Sequence, residues 1–349
     1  MPETVPALQF IQKHHSEQLL LLDVRSEKEF SQGHMPGAVN IPLLSDDHRR
    51  QVGITYKSNG KDAAVLKGFD LVGEKFSDFI REVKKQTVEK HVMLYCWRGG
   101  MRSGIMSWVL GMGGFKTFVL KGGYKAYRKA VFEILEEPRK VVVVGGKTGS
   151  GKTEVLAELK KMGEQVICLE TLASHRGSAF GALGMPPQPR NEMFQNMLAG
   201  EWMKVDSNKI LFLENESLTI GPILLPKGIY EAIRNSPVVE LVMSKAQRKK
   251  RIVDEYGRFP VESLIVNTEK LSKRLGGLRT KQAVEALQQG DKVKWVDEIL
   301  NYYDQAYQYG NDTKKVSNAD VGVNENESVS SIAVKVLNAA NSLIMHNIK

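Results

Sequence analysis

Short apolar runs alternate with longer helix-like stretches through about residue 245. Runs at residues 19–24, 92–96 and 115–120 predict strands, and the stretches at 104–110 and 124–135 predict helices. A second series of short apolar runs predicts strands at 141–144, 165–169, 210–213 and 238–243, with a helix at 154–161. Strands separated by helices are typical of parallel sheets with helical crossovers. The chain is therefore predicted to be an α/β protein built in two successive parts.

Pro138 marks the first domain boundary, because proline ends the helix-like stretch that precedes the run at 141–144. Beyond about residue 260 the pattern is charged and helical, with helices predicted at 281–289, 292–303 and 328–344. We therefore predict an α/β domain at 1–137, a second α/β domain at 138–259 and a helical C-terminal region at 260–349. The stretch at 311–328, rich in Asn and Asp, is predicted to be a solvated loop rather than a site.

Composition excludes several classes of protein. Of the 349 residues, 42% are hydrophobic and 26% are charged, as in globular proteins, which excludes wholesale disorder. The longest apolar runs fall far short of the roughly 20 residues that cross a bilayer. The N-terminus lacks the pattern of a secretory signal, so we expect a cytoplasmic protein with no membrane partner. The two cysteines, Cys96 and Cys168, are too few for a disulfide framework or a four-cysteine zinc site.

Cys96 occupies a position where a thiol can be activated. It ends the strand predicted at 92–96 and opens the segment Cys-Trp-Arg-Gly-Gly-Met-Arg, after which a helix is predicted. Such a loop directs backbone N–H groups and the positive end of a helix dipole at one point, which stabilises a thiolate or a bound oxyanion. Arg98 and Arg102 add positive charge. We predict that Cys96, Arg98 and Arg102 are catalytic, in preference to a buried structural cysteine.

The residues before this loop resemble the rhodanese family. The segments Leu-Asp-Val-Arg-Ser-Glu-Lys-Glu-Phe at 22–30 and Gly-His-Met-Pro-Gly-Ala-Val-Asn-Ile-Pro at 33–42 are similar to that family's signature, with Met35 in place of the usual isoleucine. The resemblance implies that Cys96 carries a persulfide or perselenide and that Asp23 and Arg25 are structural. The spacing Cys-x5-Arg also describes cysteine-dependent phosphatases, so the loop by itself is compatible with two chemistries.

A phosphate-binding loop follows the strand predicted at 141–144. The residues that match the pattern G-x-x-x-x-G-K-[ST] are Gly146, Lys147, Thr148, Gly149, Ser150, Gly151, Lys152 and Thr153. The glycines let the backbone amides surround a phosphate, Lys152 supplies a positive charge, and the Thr153 hydroxyl is a candidate Mg²⁺ ligand. The loop predicts a diphosphate site, and ATP, GTP or a prenyl diphosphate would each satisfy it.

Two carboxylates follow the apolar run at 210–213. Glu214 and Glu216 lie where acidic residues support a metal ion in phosphoryl-transfer sites, so either could position Mg²⁺ or a water molecule. The alternative is a solvated strand end, since carboxylates are usually exposed.

The order of these motifs resembles the tRNA 2-selenouridine synthase family, in which a rhodanese domain is fused to a phosphate-loop domain. The carrying segments lie within about residues 20–225, and they are 95–103, 122–128, the phosphate loop, His-Arg-Gly-Ser-Ala-Phe-Gly at 175–181, 214–217 and Ile-Gly at 220–221. The sequence departs from the family where Cys168 and Asn215 replace the usual aspartates. No motif is recognised beyond about residue 260.

This resemblance implies a two-step reaction on the wobble uridine of tRNA. The 2-thiouridine is S-geranylated from geranyl diphosphate, and selenium from selenophosphate then displaces the geranylthio group, with Cys96 as the selenium relay. The resemblance also implies a site in the phosphate-loop domain, for which the candidates are His175, Arg176, Glu214 and Glu216. No tightly bound cofactor is expected besides the candidate Mg²⁺.

Basic residues supply a candidate surface for the tRNA. The chain has 49 basic and 40 acidic residues, a net charge of +9, and residues 245–281 contain 11 basic and 4 acidic residues. Within this cluster Arg248, Lys249, Lys250 and Arg251 are predicted to bind tRNA phosphates, although a solvated helix face would have the same composition.

Two other functions compete with a tRNA-modifying transferase. One is a cysteine phosphatase or sulfurtransferase fused to a P-loop NTPase, and the other is a non-catalytic rhodanese-like binding module. A phosphatase needs a positioned general acid, which the sequence does not locate, and a binding module would tolerate loss of the thiol.

Overall fold

The computed structural model describes residues 3–312 and 316–346, with the side chains of 308–312 and 346 left out of the description. The chain divides into two compact units. The first comprises Met1–Ile134 and Gln195–Gly200, and the second comprises Leu135–Phe194 and Glu201–Lys349. The stretch at 260–349, predicted as a region of its own, falls within the second unit.

The first unit is built on a parallel sheet of five strands. The strands are β1 (Glu3–Val5), β2 (Leu20–Asp23), β3 (Ala38–Asn40), β4 (His91–Tyr95) and β5 (Lys116–Leu120). Their order in the sheet is β1-β5-β4-β2-β3, and every pair is parallel. The three strands predicted at 19–24, 92–96 and 115–120 are confirmed, and they form the centre of this sheet.

Helices cover the first sheet. They are α1 (Ala7–Glu17), α2 (Glu27–Gln32), α3 (Asp46–Val72), α4 (Phe76–Gln86), α5 (Met101–Met112) and α6 (Gly123–Glu136). Helix α3 is interrupted at Gly60, whose φ of 83° is not helical. Leu22, Leu94, Met106 and Val119 are buried in the core between the sheet and its helices. This core fixes the carboxyl end of β4, where the thiol-bearing loop begins.

A second parallel sheet of five strands organises the second unit. Its strands, with those of a small hairpin, are β6 (Lys140–Gly146), β7 (Gln165–Ile167), β8 (Ile210–Glu214), β9 (Thr219–Ile220), β10 (Ile223–Leu224), β11 (Val238–Val242) and β12 (Asn318–Gly322). The sheet order is β12-β11-β6-β8-β7, and β9 pairs with β10 in an antiparallel hairpin. The phosphate loop follows β6, at the centre of the sheet.

The helices of this unit form two groups. Those that follow strands are α7 (Lys152–Lys161), α8 (Leu169–Ala173), α10 (Lys227–Asn235), α11 (Lys245–Tyr256) and α16 (Val329–His346). Those that build a helical cluster are α12 (Val261–Lys270), α13 (Ser272–Leu275), α14 (Gly277–Gln288) and α15 (Lys292–Asp312). Helix α9 (Asn191–Met203) is divided between the two units. The cluster has its own core, in which Phe180 packs edge-to-face on Trp295. Among the described residues, no helix is long and apolar enough to cross a membrane.

The prediction of a solvated loop at 311–328 is wrong for its central part. Strand β12 lies there and extends the second sheet by pairing in parallel with β11. Val321 and Val323 are buried against α16, whereas the polar residues Asn318 and Asp320 face outward. An edge strand needs few apolar residues because its backbone supplies the pairing, and the polar composition therefore concealed it. Residues 313–315 of that stretch lie outside the described residues.

Candidate functional site

The thiol loop, residues 96–102, connects β4 to α5. Helix α6 is hydrogen-bonded to this loop. The N–H of Tyr124 donates to the Cys96 carbonyl over 2.8 Å, and the N–H of Lys125 donates to the Trp97 carbonyl over 3.0 Å. The backbone segments approach so closely that a Cβ at Gly99 would lie 2.7 Å from a carbonyl oxygen of β5. With its φ of 64°, Gly99 also has a conformation that favours glycine. The loop is thus held rigidly around the cysteine.

Cys96 has a buried thiol whose pKa is lowered from its ordinary value. The residue is 3% exposed, and its Sγ lies 3.2 Å from the Ser103 hydroxyl. Burial raises the pKa of the thiol, but hydrogen bonds from Ser103 and from the Arg98 backbone, with the charge of Arg102, outweigh burial and lower the pKa below its ordinary value. We expected an accessible thiol, and the structure instead places it at the bottom of the loop.

The two arginines of the thiol loop differ in their contacts. Arg102 donates to both carboxylate oxygens of Glu29, over 2.6 and 3.2 Å, which fixes α5 to α2. Its guanidinium therefore acts on Cys96 through its charge while it is bound to a carboxylate. Arg98 has an exposed side chain beside the cysteine. Unlike Arg102, Arg98 has no acidic partner among the described residues.

Asp23 and Arg25 are structural, as the rhodanese resemblance implied. Arg25 donates to Asp23 over 2.6 Å and to the Gly33 carbonyl over 2.7 Å, and both charged side chains are fully buried. The Arg25 guanidinium also stacks 3.7 Å from the centre of the Tyr124 ring. This network joins the end of β2 to the start of α6, which closes the thiol loop.

The phosphate loop, residues 146–153, joins β6 to α7 at the carboxyl end of the second sheet. Gly149 and Gly151 have φ values of 82° and 86°, which the loop needs to turn its amides inward. Lys152 donates to the Gly146 carbonyl over 2.7 Å, so the lysine lies across the loop. The Ser150 hydroxyl is buried with no hydrogen-bond partner among the described residues. A buried hydroxyl in this loop that has no hydrogen-bond partner fits a bound phosphate oxygen.

A cavity of about 1050 Å³ opens beside this loop. Its walls include the phosphate loop apart from Lys147, the segment at 175–179, Glu170, Asn215 and Glu216. The lining also includes residues of α11, α15 and the segments near α12 and α13, and these are Ile252, Tyr256, Arg258, Leu271, Arg274, Tyr302 and Tyr303. The cavity thus combines a phosphate loop with aromatic rings and cationic side chains.

Acidic side chains face the end of the phosphate loop. The Thr153 hydroxyl donates to Glu170 over 3.0 Å. A Cβ at Gly177 would lie 3.1 Å from one Glu216 carboxylate oxygen and 3.2 Å from a Glu170 oxygen, so both carboxyl groups border the same point. Desolvation, then the charges of Glu170 and Glu214, raise the pKa of Glu216 well above its ordinary value, although Lys152 opposes them. Burial and two neighbouring carboxylates therefore favour the protonated form of Glu216.

Glu214 lies behind the cavity wall rather than on it. It is fully buried, accepts the Cys168 thiol over 2.6 Å and accepts the Leu169 N–H over 2.7 Å. Burial, together with the nearby Glu170 charge, raises its pKa to about 7 against these hydrogen bonds. The prediction that Glu214 belongs to the active site is wrong, because this side chain ties β8 to α8 and does not reach the cavity.

His175 and Arg176 do line the cavity, together with Glu216. His175 is 7% exposed, and burial lowers its pKa, so the ring is neutral. Its Nδ1 has no hydrogen-bond partner among the described residues. Arg176 is paired with Glu255 over 3.1 Å, which fixes the segment at 175–179 to α11. The structure thus brings three of the four predicted residues of this site together.

The prediction that Arg248 binds tRNA is wrong. Arg248 is 3% exposed, and its guanidinium donates to the two carboxylate oxygens of Asp304 over 2.8 and 2.7 Å. It also donates to the Thr148 carbonyl over 3.2 Å. Arg248 therefore connects α15 to the phosphate loop from inside the unit, and it is not available to a backbone phosphate of RNA.

Two more members of that cluster bind carboxylates of the protein. Lys249 is paired with Asp297, and Arg251 is paired with Glu154 at the edge of the cavity. Lys250 is exposed and has no acidic partner among the described residues. A run of four basic residues on a helix points in every direction, so the sequence could not separate the buried cation from the exposed ones.

Several residues of the cavity had no signal in the sequence. Tyr303 accepts the Ala179 N–H over 3.1 Å, and Tyr307 accepts the Gly146 N–H over 2.6 Å while it donates to Glu240 over 2.7 Å. These tyrosines lie on α15, more than a hundred residues beyond the motifs that they support. Their periodicity indicates only a helix face, and a helix face of this kind is usually core.

A thiol loop on a rhodanese-like unit and a phosphate loop with its cavity on a second α/β unit define a two-domain group-transfer enzyme. Residues 7–130 match the family model for the rhodanese-like domain, and residues 139–336 match the family model for the tRNA 2-selenouridine synthase AAA domain. The chain belongs to the tRNA 2-selenouridine synthase family. Membership confirms the α/β fold class and the expectation of an enzyme that modifies tRNA with selenium.

Similar proteins cover most of the chain. The tRNA 2-selenouridine synthase of Nitrosomonas europaea is 32% identical over 81% of this chain and 86% of its own length. That of a Sulfurovum species is 37% identical over 83% of this chain and 88% of its own. Among solved structures, the tRNA isopentenylpyrophosphate transferase of Bacillus halodurans is 13% identical, with a TM-score of 0.35 over 61% of this chain and 100% of that chain.

Proposed function

We propose that this protein converts wobble 2-thiouridine in tRNA to 2-selenouridine in two steps that use its two loops separately. In the first step, the sulfur of 2-thiouridine attacks geranyl diphosphate held at the phosphate loop. In the second step, selenium from selenophosphate, relayed by Cys96, displaces the geranylthio group. The observation that carries the proposal is the presence, in one chain, of an activated thiol and a phosphate loop whose buried hydroxyl has no hydrogen-bond partner among the described residues.

The first step balances as a substitution at carbon. A C–S bond forms, the bond between the geranyl carbon and the diphosphate oxygen breaks, and the uridine loses its N3 proton. Neutral His175 lines the same cavity as the phosphate loop, which makes it the candidate acceptor for this proton. Lys152 and the loop amides stabilise the negative charge that collects on the departing diphosphate.

The second step becomes feasible because alkylation changes the leaving group. Sulfur that is doubly bound to C2 of a uridine is not displaced easily, whereas an alkylated sulfur leaves as a thiolate once selenium has attacked C2. The selenium of selenophosphate, held beside Cys96, forms the bond to C2 while the C–S bond breaks and releases geranylthiolate, and water then cleaves the Se–P bond to give phosphate, so that no oxidant is needed. Cys96 suits this role, because hydrogen bonds and the Arg102 charge lower the pKa of its thiol despite burial. A cysteine phosphatase is less favoured, because Arg102 is held by Glu29 and is not free to bind a phosphate.

Mg²⁺ fits the phosphate loop as a companion of the diphosphate. Among the described residues no group of three or more His, Cys, Asp or Glu side chains could hold a metal ion. Mg²⁺ usually keeps several waters and takes one or two protein oxygens besides the phosphates, and Thr153 with Glu170 or Glu216 supplies these. A bound Mg²⁺ would neutralise the diphosphate charge.

Omission of one donor at a time tests the proposed order. Purified protein is incubated with tRNA that contains 2-thiouridine, and the nucleosides are analysed by mass spectrometry. Geranyl diphosphate alone should yield S-geranyl-2-thiouridine, and both donors should yield 2-selenouridine. Formation of 2-selenouridine from selenophosphate alone would overturn the order, and absence of selenium under every condition would overturn the function.

A further inference from the structure

The structure separates the basic residues of 245–281 into two groups. Those in the first group bind carboxylates of the protein, and they are Lys245, Arg248, Lys249, Arg251 and Lys281. Those in the second group have no acidic partner within the described part of the chain, and they are Lys250, Arg258, Lys270, Lys273, Arg274 and Arg279. The first group lies mainly on α11, and most of the second group lies beyond it.

The unpaired group is concentrated at α12–α14. Between Lys270 and Lys281 the sequence holds five basic residues and no acidic residue. Arg258, Lys273, Arg274 and Arg279 are all exposed, and we call these four residues the basic rim. Cationic side chains that no carboxylate of the protein neutralises are available to bind an anion.

The basic rim is connected to the phosphate-loop cavity. Arg258 and Arg274 line that cavity together with Lys152 and Thr153. Arg274 is near enough to Tyr303, on α15, for its charge to oppose the effect of burial on that tyrosine, whose pKa is raised to about 12. A polyanion bound to Arg258 and Arg274 would therefore lie at the cavity that contains the phosphate loop.

We propose that the basic rim binds the phosphate backbone of the tRNA and brings the target uridine to the cavity. This inference rests on the proposed function, in which that uridine must reach the diphosphate. Arginine and lysine contacts to phosphates position an RNA without reading its sequence, which suits four exposed cations of which Arg258 and Arg274 line the cavity. The rim takes the role that the sequence had suggested for Arg248 and its neighbours.

The test measures tRNA affinity at several salt concentrations. The fourfold variant Arg258→Gln, Lys273→Gln, Arg274→Gln, Arg279→Gln should flatten the plot of log affinity against log salt by roughly 0.7 to 0.9 for each RNA phosphate that the rim neutralises in the wild type. The matched control replaces Lys140, Lys160, Lys161 and Lys209 by Gln. These four lysines are also exposed but lie at or near the amino-terminal edge of the second sheet, away from the phosphate loop. The control should keep the wild-type slope.

Thermal unfolding of both variants establishes that they fold. A rim variant that folds and keeps the wild-type slope would overturn the inference, and so would a control whose slope flattens as much as that of the rim variant. Nucleoside analysis of the wild-type protein separates this failure from failure of the proposed function. If the wild type forms 2-selenouridine while the slopes are equal, only the rim is wrong.

Discussion

The thiol loop and the phosphate loop lie at the same position in their sheets, but they differ in how fully their polar groups are hydrogen-bonded. Each follows a parallel strand and precedes a helix, where helix dipoles favour negative charge. In the thiol loop Cys96 is hydrogen-bonded to Ser103, and Arg102 is bound to Glu29. Two backbone N–H groups of α6 donate to carbonyls of this loop. In the phosphate loop the buried Ser150 hydroxyl has no partner among the described residues.

This difference follows from what each loop has to hold. In the proposed function the thiol loop presents a single thiol, so its surroundings can be complete before any substrate arrives. A substrate site must exchange contacts, as when Lys152 leaves the Gly146 carbonyl for a phosphate oxygen. Unsatisfied polar groups are the expected cost of a site that binds and releases an anion.

The largest expected effect is loss of the relay. Cys96→Ser removes the one thiol in the thiol loop, so selenium incorporation should be abolished while S-geranyl-2-thiouridine accumulates. Nucleoside mass spectrometry measures both products. Cys168→Ser is the matched control and should retain 2-selenouridine formation, because the Cys168 thiol is bound to Glu214 outside the thiol loop. Normal selenouridine formation by the Cys96 variant would show that another group carries selenium.

A second prediction concerns charge buried beneath the phosphate-loop cavity. The pKa of Glu214 is raised from 4.5 to about 7, so its protonated form stabilises the fold at low pH, and this stability is lost as pH rises through 7. The shift corresponds to about 3 kcal/mol. Urea unfolding of Glu214→Gln should therefore show a gain over the wild type that grows by up to this amount between pH 5 and pH 8. A gain in stability that does not change with pH would contradict the raised pKa of Glu214.

A third prediction concerns the lysine of the phosphate loop. Lys152→Ala removes a charge-assisted contact of about 1.5 to 3 kcal/mol, so affinity for geranyl diphosphate should fall by roughly one to two orders of magnitude. Calorimetry with geranyl diphosphate measures this change. Lys147→Ala is the control, since Lys147 belongs to the same loop but does not line the cavity. Equal losses in both variants would mean that net charge, and not the position of Lys152, governs binding.

The smallest effect is expected from the hydroxyl beside Cys96. Ser103→Ala removes a hydrogen bond that lowers the pKa of the thiol. At about 0.5 to 1.5 kcal/mol, its loss should slow alkylation of Cys96 at neutral pH by roughly two- to tenfold and move the pH profile of the rate upward. Ser107→Ala is the control, because the Ser107 hydroxyl bonds Thr117 instead. An unchanged profile in the Ser103 variant would assign the lowered pKa to the backbone and Arg102.

Local patterns predicted the two loops and the strands that carry them, because each depends on contiguous residues. They did not predict contacts that join distant residues. Arg248 pairs with Asp304, 56 positions away. This pairing buries Arg248, which the sequence had predicted to contact RNA. Strand β12 was concealed because an edge strand can be polar. Glu170 and Tyr303 reach the cavity only through the packing of α8 and α15 against the phosphate loop.

The division of the reaction between two loops can be tested by supplying the intermediate. tRNA that carries S-geranyl-2-thiouridine, made by the Cys96→Ser variant, is purified and given to the Lys152→Ala variant with selenophosphate and no geranyl diphosphate. We predict that the Lys152 variant forms 2-selenouridine at a rate close to that of the wild type and that the Cys96 variant forms none. Failure of the Lys152 variant on this substrate, or selenation by the Cys96 variant, would contradict the assignment of one step to each loop.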